Sequence, residues 1–259
     1  MSCMKLIKLR DDRIGHLALN TELFLRTNKA EDYLAIASTN PANEQLLRMI
    51  SRKIKVIRLP RKLIDFIPAN QMIFSMEKYR KVSHKKPQLE FNFIEHTTGL
   101  SKLKEMGVDS WFVCFHARDS AYLKNKVKKD TSYLDFRNCN INNYVKAMEY
   151  ITKKGGYAIR MGSITDQKLN TKNPKIIDYA SKYRSDFMDI WLSANCKLFV
   201  GCTSGLYNVA TIFNRPVALA NVIPENEYPL QKDDKFITKR ENSPEEILSL
   251  TKEMMGVDR

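Results

Sequence analysis

Short apolar runs alternate along this chain with longer stretches in which apolar residues recur every three or four positions. Runs of four to six apolar residues are typical of buried strands, and the longer spacing is typical of amphipathic helices. The first half is predicted to form strands at 4–9, 32–37 and 55–59 and helices at 17–25 and 43–51. Such alternation predicts a parallel sheet with crossover helices.

The second half repeats the alternation. Helices are predicted at 96–106, 144–154, 187–194, 206–213 and 244–254, and strands at 111–115, 157–161, 198–200 and 216–220. Between the halves, residues 76–92 are rich in lysine, contain Pro87 and lack periodicity, which predicts a linker. The predicted fold is therefore α/β, with an N-terminal domain at 1–92, a C-terminal domain at 93–259, and two parallel sheets facing each other across a cleft.

Composition narrows the class of protein. A hydrophobic content of 43% in 259 residues is enough for a globular core. Lysine and arginine outnumber aspartate and glutamate by 43 to 29, and the net charge of +14 favours nucleic acid, acidic lipid headgroups or phosphorylated substrates as partners. Five cysteines without a CxxC pair predict neither a disulfide framework nor a zinc site, and they fit a reducing cytoplasm.

Membrane contact is predicted to be peripheral at most. The chain has no apolar run of about 18 residues and no signal-peptide pattern at its start. The lysine-rich segments at 78–86 and 124–129 are most simply solvated faces, and contact with an acidic membrane is their alternative role.

The loops that follow the predicted strands carry the candidate chemistry, because open parallel sheets bind ligands at the carboxyl ends of their strands. After the strand at 198–200, Thr203, Ser204 and Gly205 precede a helix, and two hydroxyls beside exposed backbone N–H groups form a seat for a phosphate. Cys202 is a candidate nucleophile at the same turn, although a small packing residue without a local base is the commoner case.

A second candidate loop is His116-Ala117-Arg118-Asp119, which follows a fully apolar strand. An arginine fork in this position can bind a diphosphate through two hydrogen bonds. The alternative is a strand-end ion pair between Arg118 and Asp119 or Asp135.

Several motifs together resemble bacterial glycosyltransferases of the GT-B type associated with surface polysaccharide loci. The motifs are Arg13-Ile14-Gly15-His16-Leu17, Phe115-His116-Ala117-Arg118-Asp119-Ser120, Asp135-Phe136-Arg137-Asn138, Ile159-Arg160-Met161-Gly162, Asp186-Phe187-Met188-Asp189 and Gly201-Cys202-Thr203-Ser204-Gly205. More remotely, His116-Ala117-Arg118 is similar to the His-x-Arg motif of the fucosyltransferase superfamily, without the Arg-Gly-Asp continuation that many of those enzymes have.

The resemblance implies two Rossmann-like domains, with a nucleotide-sugar donor held mainly by the C-terminal domain and the acceptor by the N-terminal one. It implies no metal and no cofactor, since positive side chains and helix N-termini offset the charge of the leaving diphosphate. The sequence also lacks an Asp-x-Asp motif.

Individual roles follow as hypotheses. His16, at the start of the first helix, is the candidate base for the acceptor hydroxyl, with Asp11 and Asp12 as rivals and helix capping as the structural alternative. The predicted donor-binding residues are His116, Arg118, Asp119, Arg137, Arg160, Thr203, Ser204 and Gly205, and Arg118 is also a predicted catalytic residue. Asp189 is a weaker donor-site candidate. The structural alternative for Arg137 is a surface ion pair, and for Arg160 it is an edge charge that points to solvent.

The predicted function is metal-independent transfer of a sugar from a nucleotide-sugar donor to a glycan or lipid-linked acceptor of surface polysaccharide. The predicted location is the cytoplasm, with the inner face of the membrane as a peripheral site. Two other classes stay open: a polyanion- or nucleic-acid-binding protein using the +14 surface, and a catalytically inactive scaffold that binds glycans. Nucleic acid is the less expected partner, because the sequence has no recognition helix, zinc finger or RNA-binding aromatic motif.

Overall fold

The first half of the chain forms a four-stranded parallel sheet. In this computed structural model, which describes residues 4–119, 121, 132–223, 230–238 and 241–256, the strand order is β3-β2-β1-β4. The strands are β1 (Lys5–Lys8), β2 (Tyr33–Ser38), β3 (Lys55–Leu59) and β4 (Asn70–Gln71). The helices of this half are α1 (Ile14–Thr27), α2 (Glu44–Ser51), α3 (Arg61–Ile64) and α4 (Met76–Val82).

The second half forms a six-stranded parallel sheet in the order β10-β9-β8-β5-β6-β7. Its strands are β5 (Phe112–Phe115), β6 (Tyr157–Arg160), β7 (Ile176–Ile177), β8 (Leu198–Gly201), β9 (Val217–Leu219) and β10 (Lys235–Phe236). The helices are α5 (Phe93–Glu105), α6 (Val145–Lys153), α7 (Tyr179–Lys182), α8 (Asp186–Asn195), α9 (Tyr207–Ile212) and α10 (Pro244–Met255), with short 3₁₀ turns at Ala30–Asp32, Ser132–Arg137 and Ile141–Tyr144.

The predicted fold class is confirmed: two Rossmann-like α/β units with parallel sheets make a GT-B-like architecture. The central strands β5, β6 and β8 are buried along their whole length, as their unbroken apolar runs indicate. Helix starts follow local capping: Asn92 and Ser243 each form a capping box, with Glu95 and Glu246 respectively.

The linker predicted at 76–92 is instead packed structure. It contains α4, and Tyr79 and Leu89 are buried in the main core. Lys81 pairs with Glu77, and Lys85 donates to the carbonyl of Arg26, so part of this basic run is used inside the fold. Lysines give the segment a linker-like composition because they lie on the outside of a short amphipathic helix. The other basic segment, 124–129, lies outside the described residues, and the boundary at residue 92 stays a prediction.

One continuous core joins the two halves. It contains residues of α1 and α2 together with residues of α8 and α9, and α1 packs directly against α9. A second cluster lies between the other face of the second sheet and the helices α6 and α10. No helix in the described part of the chain is long and apolar enough to cross a membrane.

A buried ion pair strengthens the contact between the halves. Arg26 of α1 bonds Glu22 at 2.7 Å, and both side chains are fully buried. Its guanidinium also donates to the carbonyl of Ile212 and the side chain of Asn214 in the second half, at 3.2 and 3.1 Å. The relative position of the two sheets is therefore fixed partly by a charged group.

Candidate active site

A cavity of about 490 Å³ lies between the two sheets, at the carboxyl ends of their strands. Its walls come from the loops after β1, β2 and β4 on one side and after β5, β6 and β8 on the other. The loops that carry Gly15-His16, His116–Asp119 and Thr203–Gly205 all reach it. Of the predicted site residues, the cavity is lined by His16, His116, Arg118, Asp119, Arg137, Thr203, Ser204 and Gly205.

Two glycines bring the halves together beside this cavity. A Cβ on Gly15 would lie 2.8 Å from the Cα of Gly205 and 2.6 Å from the side-chain nitrogen Nδ2 of Asn208. A Cβ on Gly205 would lie 3.1 Å from the backbone nitrogen of Gly15. The start of α1 and the loop after β8 therefore touch backbone to backbone, which a side chain at either position would prevent.

Replacing Gly15 with alanine is expected to lower the free energy of unfolding by about 1–3 kcal/mol, because the added methyl group overpacks a contact made by backbone. Urea unfolding measures this change. Gly256→Ala is the matched control, since its Cβ would meet only ordinary contacts at 3.6 Å or more. Equal stability of the Gly15→Ala and Gly256→Ala variants would contradict the close contact.

The loop after β8 offers polar atoms that nothing in the described residues satisfies. The Thr203 and Ser204 hydroxyls and the side-chain carbonyl oxygen of Asn208 are buried without a hydrogen-bond partner. Buried polar groups are nearly always bonded, so three such atoms on one wall of a cavity indicate a place for a polar ligand. The hydroxyls suit the oxygens of a phosphate, which accept hydrogen bonds.

Several arginines line the same cavity, among them Arg13, Arg118 and Arg137. Burial lowers the pKa of the Arg118 guanidinium, and the positive charges of Arg137 and Arg13 lower it further, against the effect of Asp135. Arg137 stacks over Phe136 at 5.5 Å, and its Nε is buried without a partner in the described residues. Neighbouring guanidiniums repel one another, and an anion placed between them would relieve that repulsion.

His116 and Asp119, the other polar residues of the His116–Asp119 loop, hold the loop in place through hydrogen bonds. The Nδ1 of His116 donates to the carbonyl of Met161 at 3.1 Å, and burial lowers the pKa of the ring, which leaves a neutral imidazole with Nε2 as an acceptor. Asp119 accepts from the backbone N–H groups of Ala121 and Asp166, both at 3.1 Å. Asp119 therefore joins the loops after β5 and β6.

His16 lies at the first turn of α1, beside a carboxylate. Its Nδ1 is 3.8 Å from Asp12, and the side chain is about one third exposed at the cavity. The neighbouring imidazole of His16 lowers the pKa of Asp12 to about 2. Asp12 is therefore a persistent anion next to the imidazole.

Asp11, predicted as a rival base, is structural. Its side chain is fully buried, pairs with Arg61 and accepts the backbone N–H of Ser38. Both carboxylate oxygens are thus used to hold the end of β2, and the residue does not line the cavity.

The structure adds a buried carboxylate that the sequence marked only weakly. Asp189 lines the cavity, accepts the Tyr179 hydroxyl at 2.8 Å and pairs with Arg184 at 2.9 Å. Burial nevertheless raises the pKa of Asp189 from 3.8 to about 6. Asp186, its neighbour in the motif, accepts the backbone N–H of Glu44 at the start of α2.

Asp189 gives stability a specific dependence on pH. Its pKa is higher in the folded state than in the unfolded state, so between about pH 4 and 6 the folded protein binds the extra proton and stability falls as pH rises. As the pH rises from about 4 to 6, the free energy of unfolding of the wild-type protein should fall by about 3 kcal/mol relative to that of the Asp189→Asn variant. Chemical unfolding at pH 4.5, 6 and 7.5 measures it. Asp166→Asn, at an exposed position, should show no such trend, and a flat difference for Asp189→Asn would contradict the assignment.

Arg160 lies outside the cavity, contrary to its predicted placement at the donor site. Its side chain is 2% exposed and pairs with Asp178 at 3.2 Å. Since β6 is buried on both of its faces, the charge of Arg160 is enclosed and requires a partner. Arg160 therefore joins the end of β6 to the segment after β7 instead of lining the cavity.

Cys202 does not have the properties of a nucleophile. Its thiol is fully buried, accepts the backbone N–H of Arg118 at 3.2 Å, and has a pKa raised by Cys139 and by burial. A helix start lowers a thiol pKa only where the thiolate forms near the exposed N–H groups. Cys202 instead holds the backbone of Arg118 in place, together with Cys139, whose N–H donates to the Arg118 carbonyl.

Sequence reasoning gave no site role to several polar residues that line the cavity, among them Arg13, Arg184, Tyr207 and Asn208. Arg13 adjoins the Gly15-His16 pair and could have been found by treating that loop as one unit. No group of three or more metal-ligating side chains occurs within the described ranges.

The fold and the cavity at the strand ends define a GT-B-like protein. No protein-family model matches the chain, and no curated protein matches its sequence significantly. Among solved structures, ADP-heptose lipopolysaccharide heptosyltransferase II of E. coli matches with a TM-score of 0.66 at 14% identity, over 97% of this chain and 98% of that one.

Two further glycosyltransferases share the fold. A family 9 glycosyl transferase from Veillonella parvula matches with a TM-score of 0.54 at 12% identity, over 100% of this chain and 91% of that one. The iron-containing dodecameric glycosyltransferase TibC of enterotoxigenic E. coli matches with a TM-score of 0.50 at 12% identity, over 93% of this chain and 62% of that one. These three structures give no support to the fucosyltransferase similarity, and the His116-Ala117-Arg118 motif stays a prediction.

Proposed function

We propose that this protein is a glycosyltransferase that moves a sugar from a nucleoside diphosphate sugar to a hydroxyl of a glycan or lipid-linked acceptor. The observation that carries the proposal is one cavity in which the hydroxyls of Thr203 and Ser204, which have no hydrogen-bond partner among the described residues, occur together with Arg13, Arg118 and Arg137. A diphosphate supplies both the negative charge and the acceptor oxygens that this set requires. The GT-B-like fold shared with known glycosyltransferases supports the same class.

On the donor side, Arg118 and Arg137 would bind the diphosphate, with the two hydroxyls of the loop after β8 completing the seat. In the reaction the bond between the anomeric carbon and the diphosphate oxygen breaks, and its electron pair stays on the diphosphate. Guanidiniums already held in place stabilise the charge that develops there. Arg118 is well suited because its backbone is bonded on both sides, to Cys202 and Cys139.

On the acceptor side, His16 would take the proton of the attacking hydroxyl as the oxygen bonds to the anomeric carbon. Asp12, 3.8 Å from Nδ1, stays ionised because of its low pKa and would stabilise the imidazolium that forms. His16 comes from the first half and the diphosphate seat from the second half, and both line the same cavity, so the acceptor hydroxyl and the donor would meet there.

The donor class has an order of preference for testing. The first neighbour acts with ADP-heptose by its own description, so an ADP-linked sugar is the first candidate donor. Transfer without a metal ion or cofactor is part of the proposal, with the arginines supplying the charge that a metal would otherwise offset.

A thermal-shift screen against ADP-, GDP-, UDP- and CMP-sugars, followed by an assay for release of the free nucleotide with and without EDTA, tests the proposal. One donor is expected to raise the unfolding temperature and to be turned over at equal rates in both conditions. A salt-dependent gel shift with DNA or RNA and no donor binding would favour the polyanion-binding alternative instead. Donor binding without turnover on any acceptor would favour the inactive scaffold.

A further inference from the structure

The outer face of the first sheet is apolar, and the described residues cover only part of it. The parallel register puts Leu6, Ile36 and Ile57 on one face, opposite the face that carries Ile7 and Ala35 into the core. Ile36 is buried, but Leu6 and Ile57 are 44% and 41% exposed. Parallel sheets in α/β proteins normally have helices on both faces.

The short helix α3 is the described element that contacts this face, and it adds exposed apolar side chains of its own. It packs against β2, and its Ile64 is buried, while Leu63 is 54% exposed. Phe66 follows the helix at 86% exposure, and Ile73, beyond β4, is 74% exposed. Large apolar side chains grouped in this way mark an interaction surface.

The charges on the same surface are basic. Lys8 and Lys55 lie on the outer face by register, Lys62 belongs to α3, and none of the three has an ion-pair partner among the described residues. Asp65 is the acidic residue beside them. A second copy docked symmetrically would bring these lysines against one another, which disfavours self-association. An anionic lipid surface offers both an apolar interior and opposite charge.

We propose that this surface, formed by Leu6, Ile57, Leu63, Phe66 and Ile73 with Lys8, Lys55 and Lys62, docks on an anionic phospholipid bilayer. Ile73 is followed directly by Phe74, which lines the cavity, so the docked face continues to the mouth of the site. A lipid-linked acceptor could then enter the cavity with its lipid still in the bilayer. The docking does not depend on the transferase activity, and it uses other residues than the site.

Sedimentation with sucrose-loaded vesicles tests this directly, comparing phosphatidylcholine alone with phosphatidylcholine containing one third phosphatidylglycerol. We expect binding to the anionic vesicles, and a roughly tenfold loss in the Phe66→Ser/Ile73→Ser variant. The matched control is Phe93→Ser/Ile94→Ser on α5, where the two side chains are 84% and 74% exposed, and it should bind as the wild type does. Lys55→Glu/Lys62→Glu should also lose binding.

Single variants guard against an effect on folding: Phe66→Ser should lose binding and Phe93→Ser should not, with unchanged unfolding temperatures. Equal binding by the Phe66→Ser/Ile73→Ser and Phe93→Ser/Ile94→Ser variants would overturn the proposal. So would a wild type that stays in the supernatant, or a dimer in light scattering that the Phe66→Ser/Ile73→Ser variant alone dissociates. None of these outcomes bears on donor binding, which is measured without vesicles.

Discussion

Replacing Arg118 with alanine is expected to weaken binding of a nucleoside diphosphate roughly 10- to 100-fold, the loss typical of a charge-assisted, two-bond contact. Arg118 lies in the cavity with Arg137 and the Thr203 and Ser204 hydroxyls, and burial lowers the pKa of its guanidinium, with a smaller contribution from the charges of Arg137 and Arg13. Isothermal titration with the nucleotide found in the donor screen measures the change.

Two further variants isolate the cause. Arg118→Lys keeps the charge but loses the planar fork, so it should fall between the wild type and Arg118→Ala. Arg48→Ala removes an exposed arginine of α2 and should bind as the wild type does. Unchanged affinity in Arg118→Ala would remove this residue from the site.

Replacing Arg26 with alanine is expected to lower the free energy of unfolding by about 3–5 kcal/mol, because it leaves the carboxylate of Glu22 buried without its partner. Burial already raises the pKa of Glu22, and one of its oxygens has no partner even with Arg26 present. The substitution also removes the bonds from α1 to Ile212 and Asn214 in the second half. Urea denaturation measures the loss.

The double variant Glu22→Leu/Arg26→Met tests whether the lost stability comes from the unpaired charge of Glu22. Two apolar side chains of similar volume should recover most of the stability, since no charge is left buried. A loss below 1 kcal/mol in Arg26→Ala would mean that water reaches Glu22, and that the pair does not hold the two halves together.

Patterning predicted most of the fold because local rules and tertiary packing agree there. The apolar runs at β5 and β8 are buried strands, and the helix predicted at 244–254 begins at Pro244, behind its Ser243 cap. Elements such as β4, β7 and β10 were not predicted. Each has only two residues, which pair because a neighbouring strand is already in place, and no periodicity can reveal that.

The site was predictable as far as strand order could be inferred. Loops after parallel strands converge, so the sequence alone predicts that His16, Arg118 and Ser204 lie at one cleft, and all three line the cavity. The direction of a side chain could not: Arg160 also ends a strand, but it turns inward to Asp178. The helical pattern likewise gave no sign that Arg26 is buried, since its partners lie far away in sequence.

The two halves enclose one cavity, to which the second half contributes the proposed diphosphate seat and the first half contributes His16. The close approach of Gly15 to Gly205 and the Arg26 contacts hold the walls at a fixed distance. Such preorganisation is what a transfer reaction between two bound sugars requires.

The most direct test of the central claim is to compare the dissociation constants of a nucleoside diphosphate and the monophosphate of the same base with the wild-type protein. The seat built from Arg118, Arg137, Thr203 and Ser204 predicts that the diphosphate binds at least about tenfold more tightly, from its added charge and oxygens. Equal affinities, or no binding of any nucleoside diphosphate, would contradict the assignment of this cavity.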